Sequence, residues 1–253
     1  MADKTLIAWT DHTANFWMGC QKWSPGCLNC YAETLTTNRM GLHLWGPPKT
    51  TRRQAVKSVW ANVRKWNRES DPANPARVFV GSLMDWAEDH PDAEAIRPAM
   101  WGLIRECRSL HFQMLTKRAD RIPQLLPTDW GRGGYHNVWL GVSIENADYA
   151  HRADHLRAIP AVVRFVSYEP AIGPLAHALD LTGLHWIIYG GESGSGRRAE
   201  DKQWARDMRD KCQAEGVAFF HKQSAGPRTE MGIELDGRII REYPTPRIPL
   251  AVA

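Results

Sequence analysis

Short apolar runs alternate with longer amphipathic segments along most of this 253-residue chain. Runs rich in β-branched and aromatic residues predict strands, and they occupy residues 6–9, 78–81, 112–115, 138–142, 162–166, 186–189 and 217–220. Apolar positions at helical spacing predict helices over residues 31–40, 50–67, 93–109, 147–158 and 200–215, and Gly41 and Gly216 are predicted to end two of them. This alternation is typical of parallel βαβ units joined by right-handed crossovers.

Polar residues follow nearly every predicted strand. They are Ser82 and Asp85; Thr116, Lys117 and Arg118; Ser143, Glu145 and Asn146; Ser167, Tyr168 and Glu169; Glu192 and Ser193; and Lys222 and Gln223. An open doubly wound sheet gathers its ligands at one switch point, whereas a barrel brings all strand ends to one mouth. The pattern predicts an α/β fold, a full or partial (β/α) barrel of about six or seven parallel strands. We expect it to span residues 1–225, before a Pro-rich arm at 226–253.

Composition narrows the class of protein. Hydrophobic residues make up 43% of the chain and include twelve Trp, which is ample material for a core. There is no apolar run of membrane-spanning length and no secretory signal pattern. Five cysteines, an odd number with three clustered, do not indicate a disulfide framework. These features predict a globular protein of the reducing cytoplasm, with no membrane partner.

The clustered cysteines are Cys20, Cys27 and Cys30, in the spacing C-x6-C-x2-C between the first predicted strand and the first predicted helix. A closed zinc site needs a fourth ligand. A four-iron cluster normally takes four thiolates, but one held by three leaves an iron open to a substrate or cofactor. Cys107 and Cys212 lie among apolar neighbours on predicted helices, so we expect them to be buried. Iron–sulfur and zinc both remain open at this point.

The three-cysteine loop followed by a βα series resembles radical S-adenosylmethionine (SAM) enzymes. More narrowly, the chain resembles the phage-type three-cysteine-motif family, a radical-SAM-like group common in bacteriophages and their hosts. The first arm of the loop is longer than the usual C-x3-C, and Asn29 stands where an aromatic residue is common. The matching segments are residues 9–11, 20–32, 79–85, 115–121, 138–146, 165–170, 186–193 and 219–223.

The resemblance implies a [4Fe-4S] cluster on the three cysteines, SAM as cofactor, an external electron donor and a radical-SAM type of barrel. Together with the polar positions at the strand ends, it gives a set of candidate residues. Those for cofactor binding are Ser82, Asp85, Thr116, Lys117, Ser143, Glu145, Glu169, Gly190 and Gly191. Those for catalysis are Lys222, Glu192 and Tyr31.

Charge adds a candidate partner. The net charge is +4, and residues 49–68 carry seven basic side chains and no acidic one. Such a face can follow a phosphate backbone. Together with the phage-type resemblance, it favours a nucleic acid as the substrate, and we expect a base of DNA to be modified or repaired. The candidate contacts are Arg53, Lys57, Arg64, Arg68, Arg197 and Arg198. The alternatives are a zinc- or cluster-stabilised nucleic-acid-binding module without catalysis and a radical SAM enzyme acting on a small molecule.

Overall fold

The computed structural model describes residues 5–246, and its central feature is one seven-stranded parallel sheet. The strands follow one another across the sheet in chain order. They are β1 (His12–Ala14), β2 (Ala76–Val80), β3 (Leu110–Thr116), β4 (Val138–Ser143), β5 (Val163–Tyr168), β6 (Trp186–Gly190) and β7 (Ala218–Gln223). Sequential order without a switch point is the topology of a (β/α) barrel. The predicted α/β partial barrel is therefore confirmed.

The curl of the sheet is set by Trp9. Its indole ring lies 4.5 Å from the ring of Phe79 on β2 and 6.1 Å from that of Trp186 on β6. Those two rings are thus no more than about 11 Å apart, although four strand spacings in a flat sheet would separate them by about 19 Å. The sheet must therefore bend around Trp9, which fills its concave side.

Large apolar side chains fill this concave side, and most of them occupy the first three positions of their strands. Besides Trp9 they are Phe79, Trp139, Val163, Phe165, Trp186, Ile188 and Phe220, all buried. Gly141 makes room for one of them, because a Cβ at this position would lie 2.3 Å from the ring of Phe165. We call this set the aromatic layer.

The helices cover the convex side of the sheet. They are α1 (Tyr31–Thr34), which continues as a π-helix over Leu35–Arg39, α2 (Val59–Glu69), α3 (Pro91–Glu106), α4 (Ile122–Leu125), α5 (Arg152–Arg157) and α6 (Lys202–Glu215). Short 3₁₀ turns occupy Pro25–Cys27, Ala119–Arg121 and Ala147–Tyr149. Gly41 and Gly216 have the positive φ expected of helix ends. None of the helices in residues 5–246 has the length and apolar character needed to cross a bilayer.

Two sequence predictions about secondary structure are wrong. Residues 6–9 do not form the first strand, because the burial of Trp9 inside the barrel turns this stretch inward, and β1 begins only at His12. The helix predicted over residues 50–67 begins only at Val59. Its first part instead forms the short strand Gln54–Ala55, which pairs with Trp17–Met18 beyond the end of β1.

The segment after residue 225 folds back onto the last strand. A two-stranded hairpin joins Glu234–Leu235 to Arg238–Ile239, with Leu235 buried, and Arg241 forms a β-bridge to Phe220 on β7. The remainder of the predicted arm, residues 247–253, lies outside the described residues.

Candidate functional site

A cavity of about 310 Å³ opens at the carboxyl ends of the strands, directly above the aromatic layer. We call this end of the barrel the mouth, and the opposite end the lower end. Thirteen of the predicted site residues line the cavity, which is the convergence expected of a barrel mouth. They are Cys20, Cys27, Cys30, Tyr31, Ser82, Asp85, Thr116, Lys117, Ser143, Glu169, Gly191, Glu192 and Lys222.

The three cysteines are presented by a tightly turned loop. Cys27 closes a 3₁₀ turn, its N–H donating to the carbonyl of Ser24 at 2.8 Å, and Cys30 precedes the first residue of α1. All three thiols are unpaired and partly exposed, whereas Cys107 and Cys212 are buried, as predicted. Within residues 5–246, no three His, Cys, Asp or Glu side chains form a group arranged to hold a single metal ion.

Glu145, at the end of β4, holds the loop from one side. Its carboxylate accepts hydrogen bonds from Ser24 Oγ at 2.5 Å and from Arg152 Nη1 at 2.8 Å, and it pairs with Lys117 Nζ at 2.9 Å. Burial favours the neutral acid, but the two cations and Ser24 outweigh burial and hold the pKa of Glu145 below its usual value. A Cβ on Gly26 would lie 2.5 Å from Glu145 Cγ, so the loop rests directly on this side chain.

Glu192, beyond β6, holds the loop from the other side. Its carboxylate accepts from Asn29 Nδ2 at 3.0 Å and from the backbone N–H and the guanidinium of Arg198. Arg198 also donates to the carbonyl of Pro25 at 3.1 Å. Glu145 and Glu192 were candidates for cofactor binding and catalysis, respectively. In this structure their oxygens are engaged by the protein, and both anchor the cysteine loop.

Arg118 is a site residue that the sequence analysis placed only among the strand-end polar residues. Its guanidinium donates to Asp85 at 2.7 Å and to the carbonyl of Gln21 at 2.8 Å, and it lies 3.7 Å from Cys20 Sγ. It also covers the ring of Trp23 at 5.0 Å. Its position two residues after the end of β3 was visible in the sequence, but its contact with the distant Cys20 was not.

A second ionic group lies on the far wall of the cavity. Lys222 Nζ pairs with Glu169 Oε1 at 2.7 Å, and Ser167 Oγ donates to the other oxygen at 3.2 Å. The hydroxyl of Tyr31 donates to the carbonyl of Ser82 at 2.7 Å. Since Lys222 and Glu169 are both only slightly exposed, they can present hydrogen-bonding groups to a ligand in a largely dehydrated space.

The two glycines at the end of β6, Gly190 within the strand and Gly191 just after it, are required by packing. A Cβ on Gly190 would lie 2.2 Å from Glu169 Oε1, and one on Gly191 would lie 2.2 Å from the backbone nitrogen of Ala225. Gly191 lines the cavity, whereas Gly190 and Glu145 are not among the lining residues. Close approach of neighbouring groups is therefore a sufficient reason for both glycines.

The basic face predicted near residues 49–68 does not exist as one surface. Arg53 is buried, with its guanidinium paired to Glu88 at 2.6 Å, so it is not available to a nucleic acid. Arg64 pairs with Glu106, the last residue of α3. Helices of a barrel run opposite to its strands, so Arg64 and Arg68 lie at the lower end, away from the mouth. Lys57 is exposed near the mouth.

The remaining two residues predicted to contact a nucleic acid lie after β6. Arg197 is exposed, and Arg198 is partly buried in its pair with Glu192. The prediction of a single cationic face failed because helical spacing was applied to residues 50–58, which are not helical.

The charges around the cysteine loop are compatible with a negatively charged cluster. The buried and partly buried ion pairs around it contain six cations but five carboxylates, because Glu145 is shared by two cations. They are Arg53 with Glu88, Arg118 with Asp85, Lys117 and Arg152 with Glu145, Lys222 with Glu169, and Arg198 with Glu192. An iron–sulfur cluster ligated by thiolates carries net negative charge that nearby cations and hydrogen bonds stabilise. The residues present therefore fit such a group.

Comparison with known proteins identifies a family. The family described as "Protein of unknown function (DUF5131)" matches residues 4–244, nearly the whole chain. No curated protein and no solved structure matches.

Proposed function

The chain belongs to the DUF5131 family, and we propose that it is a radical SAM enzyme. Cys20, Cys27 and Cys30 would hold a [4Fe-4S] cluster in the mouth of the partial barrel. When bound, the cluster and SAM together supply a carbon-centred radical that abstracts hydrogen from the substrate. The observation that carries the proposal is that three unpaired thiols and the strand-end polar residues line one cavity.

The structure suggests separate tasks for the residues around the cavity. Glu145 and Glu192 fix the cysteine loop on two strand ends, which sets the direction of the three thiols. Burial raises the pKa of the Cys20 thiol, and the positive charge of Arg118 beside Cys20 Sγ opposes that shift, because a nearby cation stabilises the thiolate that a metal requires. Lys222 and Glu169 face the same cavity from the opposite wall, where they can orient a polar substrate or the SAM amino acid moiety.

The proposed substrate is a base in a nucleic acid, with DNA as the first candidate. The cavity lies at the lower limit of the volumes usual for ligand sites, about 300–1,000 Å³, and a base in a duplex would have to be extruded to enter it. Half-exposed Trp23 and Tyr31 at the cavity provide flat apolar surfaces of the kind that stack on bases.

Anaerobic reconstitution with iron and sulfide tests the proposal. We expect about four iron atoms per chain, and 5′-deoxyadenosine after addition of SAM and a reductant. Cys27→Ala should lose the iron and the product together. The matched control is Cys212→Ala, a thiol that is fully buried and away from the cavity, which should retain both.

The outcomes separate the proposal from its alternatives. One zinc ion per chain, with no bound iron after reconstitution, would establish the zinc-stabilised binding module instead. Iron retained by Cys27→Ala would disprove the assignment of the cluster to this loop.

A further inference from the structure

Residues 34–68 contain eight basic side chains and no acidic one, and the structure divides them between the two ends of the barrel. The stretch before α2 lies at the mouth, because Gly46 N–H donates to the carbonyl of Cys20 at 3.0 Å and Val56 N–H to that of Phe16 at 3.0 Å. The end of α2 lies at the lower end, where the Asn67 side chain accepts from the N–H of Ser109 just before β3.

The part at the mouth carries four exposed cations, of which Arg52 pairs with Asp92 at 2.7 Å. The other three are Arg39, Lys49 and Lys57. We call them the basic shoulder. Among the ion pairs of residues 5–246 none includes a member of the shoulder, in contrast to Arg53, which Glu88 neutralises. Cations without a carboxylate partner on a stretch that lacks acidic residues favour an anionic partner. Several such charges in one surface segment suit a polyanion better than a single phosphate.

An aromatic side chain lies three residues after Cys20, whose carbonyl accepts from Gly46 N–H in this segment. Trp23 lines the cavity and is 49% exposed, while Arg118 covers one face of its ring. Arg118 occupies that face through a cation–π contact, and the exposed remainder of the Trp23 ring is open to a planar partner. Trp rings stack on bases of any sequence when the bases are unpaired.

We propose that the basic shoulder binds the phosphate backbone of a single-stranded nucleic acid and that Trp23 stacks the base that enters the mouth. A single strand fits better than a duplex, because its bases reach the ring without the cost of unpairing. The inference rests on the proposed function only for what happens to the base. Binding itself requires neither SAM nor turnover.

The test is anisotropy of a fluorescein-labelled single-stranded DNA of mixed sequence, titrated with the full-length protein without SAM at several salt concentrations. One triple variant removes the shoulder: Arg39→Gln, Lys49→Gln and Lys57→Gln. Its control removes the same charge from the lower end: Arg68→Gln, Arg108→Gln and Arg132→Gln, all exposed positions. The shoulder variant should bind about tenfold more weakly and lose about 2 from the slope of log K against log salt. The control should stay within about twofold.

Trp23 is tested in the same assay. Trp23→Ala should weaken binding about tenfold without changing the salt slope, and Trp23→Phe should restore most of the affinity, because a stacking ring remains. If Trp23 had only a structural role, its replacement by Ala would not lower the affinity while leaving the salt slope unchanged.

Three results would overturn the inference. Equal losses in the two triple variants would show that net charge alone attracts DNA. Tighter binding of duplex than of single strand would make a duplex the ligand. No binding of either, with 5′-deoxyadenosine still formed on reconstitution, would refute the shoulder while leaving the proposed enzyme intact and pointing to a small substrate.

Discussion

The concave side of the barrel has two layers that the same strands build in different ways. In the lower, aromatic layer, packing decides the structure: Trp9, Phe79 and Trp186 meet as rings, and even the buried indole N–H of Trp9 has no hydrogen-bond partner among residues 5–246. In the upper layer, which lines the cavity, the buried carboxylates that face it are held by named cations, as in the pair of Asp85 with Arg118.

The difference shows which layer holds the fold together. Apolar burial stabilises roughly in proportion to area, whereas burying charges costs desolvation energy that even good pairing often only offsets. The ring of ion pairs around the cysteines therefore contributes little to overall stability. We infer that these ion pairs serve to position the cysteine loop. Substitutions in the two layers should therefore change the free energy of unfolding by different amounts.

The largest effect on stability is expected from Trp186→Ala in the aromatic layer. Trp186 is fully buried and contacts the rings of Trp9, Trp139 and Phe220. Removing it should lower the free energy of unfolding by about 3–5 kcal/mol, measured by urea denaturation. Trp186→Phe keeps most of the packing and should lose less. If Trp23→Ala at the cavity destabilised the protein as much, the contrast between layers would fail.

A smaller effect is expected from Gly26→Ala, where the new methyl group collides with Glu145. We expect a loss of about 1–3 kcal/mol, typical of overpacking, and faster reaction of the loop thiols with a disulfide reagent. Glu145→Asp in the same chain shortens the obstructing side chain and should return the thiol reactivity toward that of the parent. Lack of any rescue would mean that Glu145 does not position the loop.

The free energy of unfolding should also depend on pH, through His111 at the lower end. Burial, with His136 and Arg77 nearby, lowers the pKa of His111 from 6.5 to about 4. The unfolded chain therefore binds a proton between these values that the folded chain does not, so stability is complete above about pH 6.5 and falls as pH drops toward 4. Burial lowers the pKa of His221 in the same direction.

Replacing His111 with Gln should reduce this acid destabilisation, measured as the free energy of urea unfolding at pH 7 and at pH 5. His221 remains to contribute its own share. An unchanged difference between the two pH values would show that His111 ionises freely in the folded protein.

The smallest effect is expected at the surface of the lower end. Arg64 and Glu106 form an ion pair with both side chains about half exposed, and such pairs contribute about 0–1 kcal/mol. Arg64→Gln should change the free energy of unfolding by less than about 1 kcal/mol. A double-mutant cycle with Glu106→Gln measures the pair directly, and a coupling energy above that value would contradict its classification as a solvent-screened pair.

Some features were predictable because they depend on local pattern. The helix ends at Gly41 and Gly216, the burial of Cys107 and Cys212, and the position of most strands follow from residue type and period. The first strand and the start of α2 were not predicted correctly. Each depended on a distant partner: Trp9 packs on Phe79, and Gln54 pairs with Met18.

By itself, the sequence determined the parallel βα order, the gathering of polar residues at one end and the crowding of three cysteines beside them, because these depend on short-range spacing and on the rule that strand ends meet. Only the tertiary structure decided which charged residues are neutralised. Arg53 forms a buried ion pair with Glu88, and Glu145 and Glu192 accept hydrogen bonds from the cysteine loop. The partners in these contacts lie 35 to more than 160 residues apart in the chain, and no local period encodes a contact at that separation.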